Sequence, residues 1–317
     1  MQQNKEDPKF ICPYSCDEEL IKDGDYFIST DGKRKYQIKG NIPRFVPTSN
    51  YSDSFGFQWN KFRKTQLDSF SETNISENRL LRATNFDTKT LDGDLVLEAG
   101  SGAGRFTEIL VKHKINLFSF DYSSAVDANF LNNGNSANLT LFQGDIFNIP
   151  FTDYTFDHVI CLGVLQHTPD PKRAFESLKS KLKSGGTIYI DCYALKLHHY
   201  FQWKYLLRPI TKRMNSLKLF NFIAFITPLF IPLVKVAKKI FGKAGSRLFP
   251  IVEFSHLGLE DDLNKDWAIL DTFDMYSPEH DHPQTITEIE SWFKKEEFKD
   301  IEIFYGDNGV VARATKL

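Results

Sequence analysis

The stretch Val96-Leu97-Glu98-Ala99-Gly100-Ser101-Gly102-Ala103-Gly104-Arg105-Phe106 reads as an apolar strand running into a glycine-rich turn that opens a helix. Small residues at such a turn let the backbone approach a ligand, and the helix start presents unpaired N–H groups. Taken alone the turn is weak evidence, because many strand-to-helix connections use glycine only for packing. Its neighbours decide how it is read.

Downstream, Leu117–Phe120, Leu139–Phe142, His158–Cys161 and Thr187–Ile190 are further short apolar strands, separated by helix-length segments such as Phe106–Lys114 and Pro171–Lys183. Alternation of this kind predicts parallel βαβ units with helices on both faces of one sheet. The last two strands, Ile301–Tyr305 and Val310–Ala314, are joined by Gly306–Gly309 alone, so a hairpin ends the sheet. Upstream, Phe10–Pro47 is punctuated by turns and reads as a small β-rich module, while Tyr51–Thr84 carries helical apolar spacing.

Each strand end carries groups suited to a ligand. Asp121 closes the second strand, 23 residues after Glu98, where a carboxylate can accept both hydroxyls of a ribose. Gly144-Asp145-Ile146 follows the third strand, and Leu162-Gly163-Val164-Leu165-Gln166-His167 follows the fourth. A dinucleotide fingerprint would place a glycine where Arg105 stands. Glu98 beside the turn repels a pyrophosphate and suits a nucleoside carrying a cationic sulfonium.

These motifs resemble the class I S-adenosylmethionine-dependent methyltransferases, closely over Leu95–Asp191 and again in the terminal hairpin. The resemblance implies an α/β fold: a Rossmann-like, seven-stranded, mostly parallel sheet with an antiparallel last strand, plus the small N-terminal β module and a helical insertion. It also implies S-adenosylmethionine as cofactor, with S-adenosylhomocysteine as product. Its binding residues would be Glu98, Ala99, Gly100, Ser101, Gly102, Gly104, Asp121, Tyr122, Asp145, Ile146, Leu162 and Tyr51. Ser184 in Lys183-Ser184-Gly185-Gly186 replaces the proline common in that family turn.

Cys12-Pro13-Tyr14-Ser15-Cys16 with Tyr36–Phe45 resembles the zinc-ribbon module that precedes some bacterial methyltransferases, but Phe27-Ile28-Ser29-Thr30 stands where a second cysteine pair belongs. Two thiolates do not complete a tetrahedral site, so no metal is expected. Tyr51–Asn60 resembles the lead-in helix of the same subgroup. Trp59 and Phe62 are read as packing residues, and Tyr51 and Gln58 stay open between packing and cofactor contact. The expected organisation is a module at 1–50, cap helices at 51–90 and a methyltransferase core at 91–317 interrupted by a lid at about 192–285.

Two segments are candidates for the chemistry. His167, just past the fourth strand, would take the acceptor's proton, or else cap the helix start at Thr168-Pro169-Asp170-Pro171. Asp271–Pro283 is dense in acids and imidazoles. There Asp274 and His280 would bind or deprotonate an acceptor, the alternative being a solvated loop.

The chain has 317 residues, with 39 Lys+Arg against 41 Asp+Glu and a net charge of -2. Its 41% hydrophobic content excludes a disordered chain, and four cysteines, only the first two of them close in sequence, suit a reducing compartment. The total hides an imbalance: Cys192–Val252 holds eleven cations and no acid, and Leu219–Val234 within it is charge-free but broken by Pro228 and Pro232. This segment is expected to form a lid, an interfacial hairpin flanked by cations, or both. The resulting expectations are methyl transfer, at oxygen, to a small-molecule or lipid- or glycan-linked acceptor. A peripheral membrane contact through 204–243 and a cytoplasmic or membrane-peripheral location are expected with it, and nucleic acid is not expected as a partner. The rival reading is a non-catalytic scaffold of the same fold.

Overall fold

The computed structural model describes residues 8–15, 18–47, 50–86, 91–196 and 202–317, the side chain of Lys243 excepted. Four short strands, β1 (Leu20–Asp23), β2 (Tyr26–Ser29), β3 (Lys35–Lys39) and β4 (Ile42–Pro43), form an antiparallel meander at the N-terminus. The main sheet comprises β5 (Leu95–Ala99), β6 (Asn116–Asp121), β7 (Leu139–Gln143), β8 (Phe156–Leu162), β9 (Leu182–Cys192), β10 (Phe298–Tyr305) and β11 (Val310–Lys316). Its order is β10-β11-β9-β8-β5-β6-β7, with β11 antiparallel to both of its neighbours. All seven strands expected from the sequence are present.

The chain leaves β5 toward β6 and β7, then returns to the other side of β5 for β8 and β9. This reversal opens a crevice beyond the carboxyl ends of the strands, where open α/β sheets bind ligands. Both faces of the sheet are covered. On one, Leu97, Phe118, Phe142, Phe151, Phe156 and Ile188 form the main core; on the other, Val96, Leu117, Ile160 and Tyr189 pack under α3 (Ile75–Thr84).

The helix expected over Phe106–Lys114 is only one turn long, α4 (Thr107–Leu110). The Asn138 amide donates to the carbonyls of Val111, His113 and Ile115 at 3.3, 3.0 and 3.1 Å, taking acceptors that a longer helix would use. The turn expected at Lys183–Gly186 lies inside β9 as a bulge, because Phe156 pairs with Leu182 while His158 pairs with Thr187. It follows directly on α6 (Pro171–Lys181), whose N-cap Asp170 accepts from Arg173 N.

The N-terminal module packs on the main core. Phe45 N donates to Gln143 O at 2.9 Å on the free edge of β7, Arg44 pairs with Asp127, and Phe10 lies 5.0 Å from Phe151. The Cys12 thiol sits 3.2 Å from the Tyr36 hydroxyl. Cys16, the other half of the ribbon-like motif, lies outside the described residues.

In the insertion, α7 (Trp203–Thr211) leads to α8 (Ser216–Phe241) and then α9 (Asp261–Tyr276). The expected hairpin is instead one continuous helix of 26 residues, about 39 Å long at 1.5 Å per residue. Pro228 and Pro232 remove two donors without ending it, because its inner face is held by packing. Phe220 and Ile223 bury against Phe62, Ile269 and Phe273. The outer face carries a row of exposed residues, Phe222, Phe225, Leu229, Leu233, Val236 and Ile240. Among the described residues α8 is the one helix long and apolar enough to cross a membrane. Tyr276 ends α9, so the first half of the polar segment Asp271–Pro283 is helix and its side chains are fixed in direction.

Candidate functional site

A cavity of about 450 Å3 occupies the crevice, bounded by the strand ends, by α1 (Asp53–Lys61) and by the lid helices. It is lined by eight of the residues expected to hold the cofactor or its nucleoside: Tyr51, Gly100, Ser101, Gly102, Asp121, Tyr122, Ile146 and Leu162. His167 and Asp274 also line it.

The turn after β5 needs its glycines. Gly100 has φ +74°, and a Cβ there would lie 2.3 Å from Val164 in the turn after β8. Gly104 has φ +89° and would meet the Asn129 side chain at 2.2 Å. Ser101 Oγ is buried without a partner, leaving a donor available at the cradle.

Glu98 stands beneath the turn and does not line the cavity. Its Oε2 accepts from Thr107 Oγ1 at 2.6 Å and Ser119 Oγ at 2.8 Å, while Oε1 has no partner. Burial pushes its carboxyl up to about 7. It therefore ties β5 to α4 and β6 from below, and Ala99 beside it is likewise buried within the strand. Asp121 Oδ2 accepts from Gly102 N at 2.9 Å and Oδ1 from Ser123 N at 2.8 Å, with burial raising its pKa. Asp145 accepts from Phe147 N and Asn148 Nδ2 and braces the loop whose Ile146 reaches the cavity.

His167 is nearly buried, with its ring edge-on to Phe55 at 5.0 Å and to Tyr193 at 5.3 Å. Its Nδ1 lies 3.2 Å from the carbonyl oxygen of His280. A carbonyl only accepts, so Nδ1 carries the hydrogen and Nε2 carries the lone pair. Burial holds the imidazole pKa below its usual value, keeping the ring neutral at pH 7. The His280 imidazole itself is not part of the cavity wall; it packs 5.1 Å from the Tyr51 ring. What His280 gives the site is its main-chain oxygen. Asp274 accepts from Gln58 Nε2 at 3.1 Å and from Tyr193 OH at 3.2 Å.

Several lining residues were not read from the sequence. Trp59, taken as a packing residue, lines the cavity beside Gly102, 3.5 Å from where a Cβ would stand. The signal was present: Phe55 and Trp59 stand four residues apart on one face of α1, and Tyr51 precedes the helix at the same spacing. Arg79, Arg105, Tyr193, Lys204 and Asp271 also line the cavity. Arg79 and Lys204 have no sequence signature, because tertiary packing alone brings α3 and α7 over the strand ends.

The residues present fit a sulfonium nucleoside: a glycine cradle, an acid at the end of β6, an apolar loop at Ile146 and aromatic rings from α1. Residues 97–190 match the family model described as a methyltransferase domain. This stretch is thus a class I S-adenosylmethionine-dependent methyltransferase domain, and S-adenosylmethionine is its cofactor. Among curated proteins, the chain is similar to the tRNA U34 carboxymethyltransferase of Campylobacter curvus, 30% identical over 32% of this chain and 35% of that protein. It is also similar to the protein of the same name from Campylobacter fetus subsp. fetus, 24% identical over 71% of this chain and 75% of that one. The ubiquinone biosynthesis O-methyltransferase of Coxiella burnetii is 30% identical over 32% of this chain and 44% of that protein. The match thus spans about a third of the first relative's length and three quarters of the second's.

Relatives named for acting on tRNA overturn the expectation of a small or lipid-linked partner with nucleic acid set aside. That expectation leaned on a net charge of -2, an average over an acid-free basic insertion and an acidic body, and on the lack of a base-stacking aromatic run beside that insertion. A partner meets the local surface and not the sum.

Proposed function

We propose that this protein transfers a methyl group from S-adenosylmethionine to an oxygen of an RNA, with the reacting nucleotide received in the cavity and the phosphate chain on the basic insertion. The observation that carries this reading is the position of Lys212 and Arg213. Both are exposed and form no ion pair among the described residues, and they share with Tyr51 a cleft adjoining the cavity. Asp53 and Glu279 border the same cleft, and Lys218, Lys239 and Arg247, also exposed on the insertion, extend the positive surface beyond it. Phosphate neutralisation by such cations gives affinity without sequence preference. A base drawn out of its stack into a pocket gives the chemistry its access. The relatives named for tRNA support the acceptor class, and the O-methyltransferase relative supports oxygen.

When bound, S-adenosylmethionine supplies an electrophilic methyl on its sulfonium. The protein's own groups then have two tasks, alignment and proton removal. Gly100–Gly104 and Asp121 hold the nucleoside end of the donor. His167 Nε2 accepts the acceptor's hydroxyl proton as the oxygen–carbon bond forms, and the Nδ1 bond to His280 O steadies the imidazolium. Gln58 and Tyr193 hold Asp274 facing the same space.

The test is incubation with methyl-labelled donor and separate fractions of RNA, lipid extract and small metabolites. Label rendered soluble by ribonuclease supports the proposal. Label confined to the lipid or small-molecule fraction overturns it. Lys212→Glu with Arg213→Glu should raise the KM for RNA at least tenfold and leave donor affinity unchanged.

A further inference from the structure

Four rings form a continuous run beside the cavity. Tyr122, just past β6, lies 4.8 Å from Tyr51, Tyr51 lies 5.1 Å from His280, and His280 lies 5.8 Å from His282, all between ring centroids. The two tyrosines line the cavity and the two histidines do not, so the run leads outward from its rim. His282, at the outer end, is exposed. Tyr51 also borders the cleft that holds Lys212 and Arg213.

The segment carrying the two imidazoles is tied down residue by residue. His280 O accepts from His167 Nδ1 at 3.2 Å, His282 N donates to Gln166 O at 2.7 Å, and Gln284 N donates to Tyr193 O at 2.8 Å. Between the histidines, Asp281 turns inward to Lys204 Nζ at 2.7 Å, its side chain only 3% exposed. The imidazoles on either side of it stand nearly parallel, with 23° between their planes. A backbone held at every second residue fixes its rings before any ligand arrives, so little freedom is lost when a ligand stacks on them.

Rings in a row beside exposed cations match the needs of an unpaired polynucleotide strand, whose bases stack on the rings while its phosphates meet the cations. A purely apolar ligand has no use for the cations, and a bare phosphate has none for the rings. We infer that His280 and His282, in line with Tyr51, form a stacking wall for the unpaired bases that flank the reacting nucleotide; this rests on RNA being the acceptor. A strand lying on the wall reaches the cavity at Tyr51, where its next nucleotide enters. The wall has no sequence signature, because Tyr51 and the two histidines are more than 200 residues apart and only tertiary packing aligns them.

The test is binding, by fluorescence anisotropy, of two labelled single-stranded oligonucleotides of equal length, an oligouridylate and its abasic counterpart, which keeps the phosphates and lacks the bases. The native protein should bind the oligouridylate about fivefold or more tightly than the abasic strand, the scale of base stacking on an aromatic ring. His282→Ala should lose most of that preference with affinity for the abasic strand unchanged, and His282→Phe, which keeps a ring, should retain it. Lys212→Glu with Arg213→Glu should weaken both strands alike. Equal native affinity for the two strands overturns the inference, as does an equal loss on both in His282→Ala or a His282→Phe variant that behaves like His282→Ala. If RNA is methylated and the two strands still bind equally, RNA stands as the acceptor and the wall does not. If RNA takes no label and neither strand binds, both fall. A thermal melt of each variant separates lost recognition from lost folding.

Discussion

His167 and His280 are joined side chain to main chain: the imidazole Nδ1 of one lies 3.2 Å from the carbonyl oxygen of the other. The bond selects the tautomer and leaves Nε2 as the base. Substituting His167 should therefore cost far more than substituting His280, whose contribution survives loss of its ring. His167→Ala is expected to lower kcat by about 100-fold or more, within the range for a lost general base, with donor affinity nearly unchanged. His280→Ala should lower it by less than about tenfold, through packing against Tyr51. Because burial lowers the His167 pKa, the neutral base persists below pH 6.5, and kcat/KM should hold level there before falling on further acidification. Steady-state kinetics across pH on both variants check this, and equal losses would reassign the ring of His280 to the chemistry.

How much of this was legible follows from which forces set each part. The strands came from short apolar runs, the strand-end motifs from local residue types and the sheet's arrangement from the family resemblance, whereas the strand order is set by tertiary packing. Glu98 was readable as an acid beside the turn, but its place beneath the turn depends on Thr107 and Ser119 arriving from two other elements. α8 was misread because proline is weighed locally, whereas the helix is held by contacts with Phe62 and Phe273 distant in sequence. Asp274 was read as part of a loop cluster; its partners Gln58 and Tyr193 lie 216 and 81 residues away.

Gly100 is expected to tolerate no side chain. Its φ of +74° strains any L residue, and a Cβ would sit 2.3 Å from Val164. Gly100→Ala should destabilise the fold by about 1–3 kcal/mol and abolish measurable binding of S-adenosylhomocysteine. Adding Val164→Ala removes the clash but not the backbone strain, so it should restore only part of the stability. Urea unfolding and calorimetry on the single and double variants decide this, and full restoration would show that φ carries no cost here.

The two faces of α8 should respond in opposite ways to truncation. Phe220 is buried, with Phe57 at 5.3 Å, Phe62 at 5.9 Å and Phe273 at 5.7 Å between ring centroids. Phe220→Ala should cost about 3–5 kcal/mol and loosen the lid from α1 and α9. Phe225 is 70% exposed, and Phe225→Ser should change stability by less than about 0.5 kcal/mol. Hydrogen exchange of α8 and α9 reports the difference, and similar protection in both variants would mean that the lid is held by something other than this aromatic cluster.

Glu98 should make the cofactor-free protein less stable as pH rises. Its carboxyl is pushed up to about 7 in the fold from the 4.5 ordinary for glutamate. Between these values the folded state keeps a proton that the unfolded chain has lost, so stability falls as pH climbs from about 4.5 through 7 and levels off above. A shift of this size corresponds to at most about 3 kcal/mol. Asp271, also raised to about 7 by burial and by Asp274, adds a slope of the same sign. Glu98→Gln retains an oxygen for the Thr107 and Ser119 hydroxyls and cannot ionise, so the variant should lose part of the slope and gain on the native protein at pH 8. Urea midpoints at pH 5 and pH 8 for both proteins measure it. An unchanged slope in the variant would show that Glu98 is already ionised in the fold at pH 5, stabilised by more than the two hydroxyls that reach it.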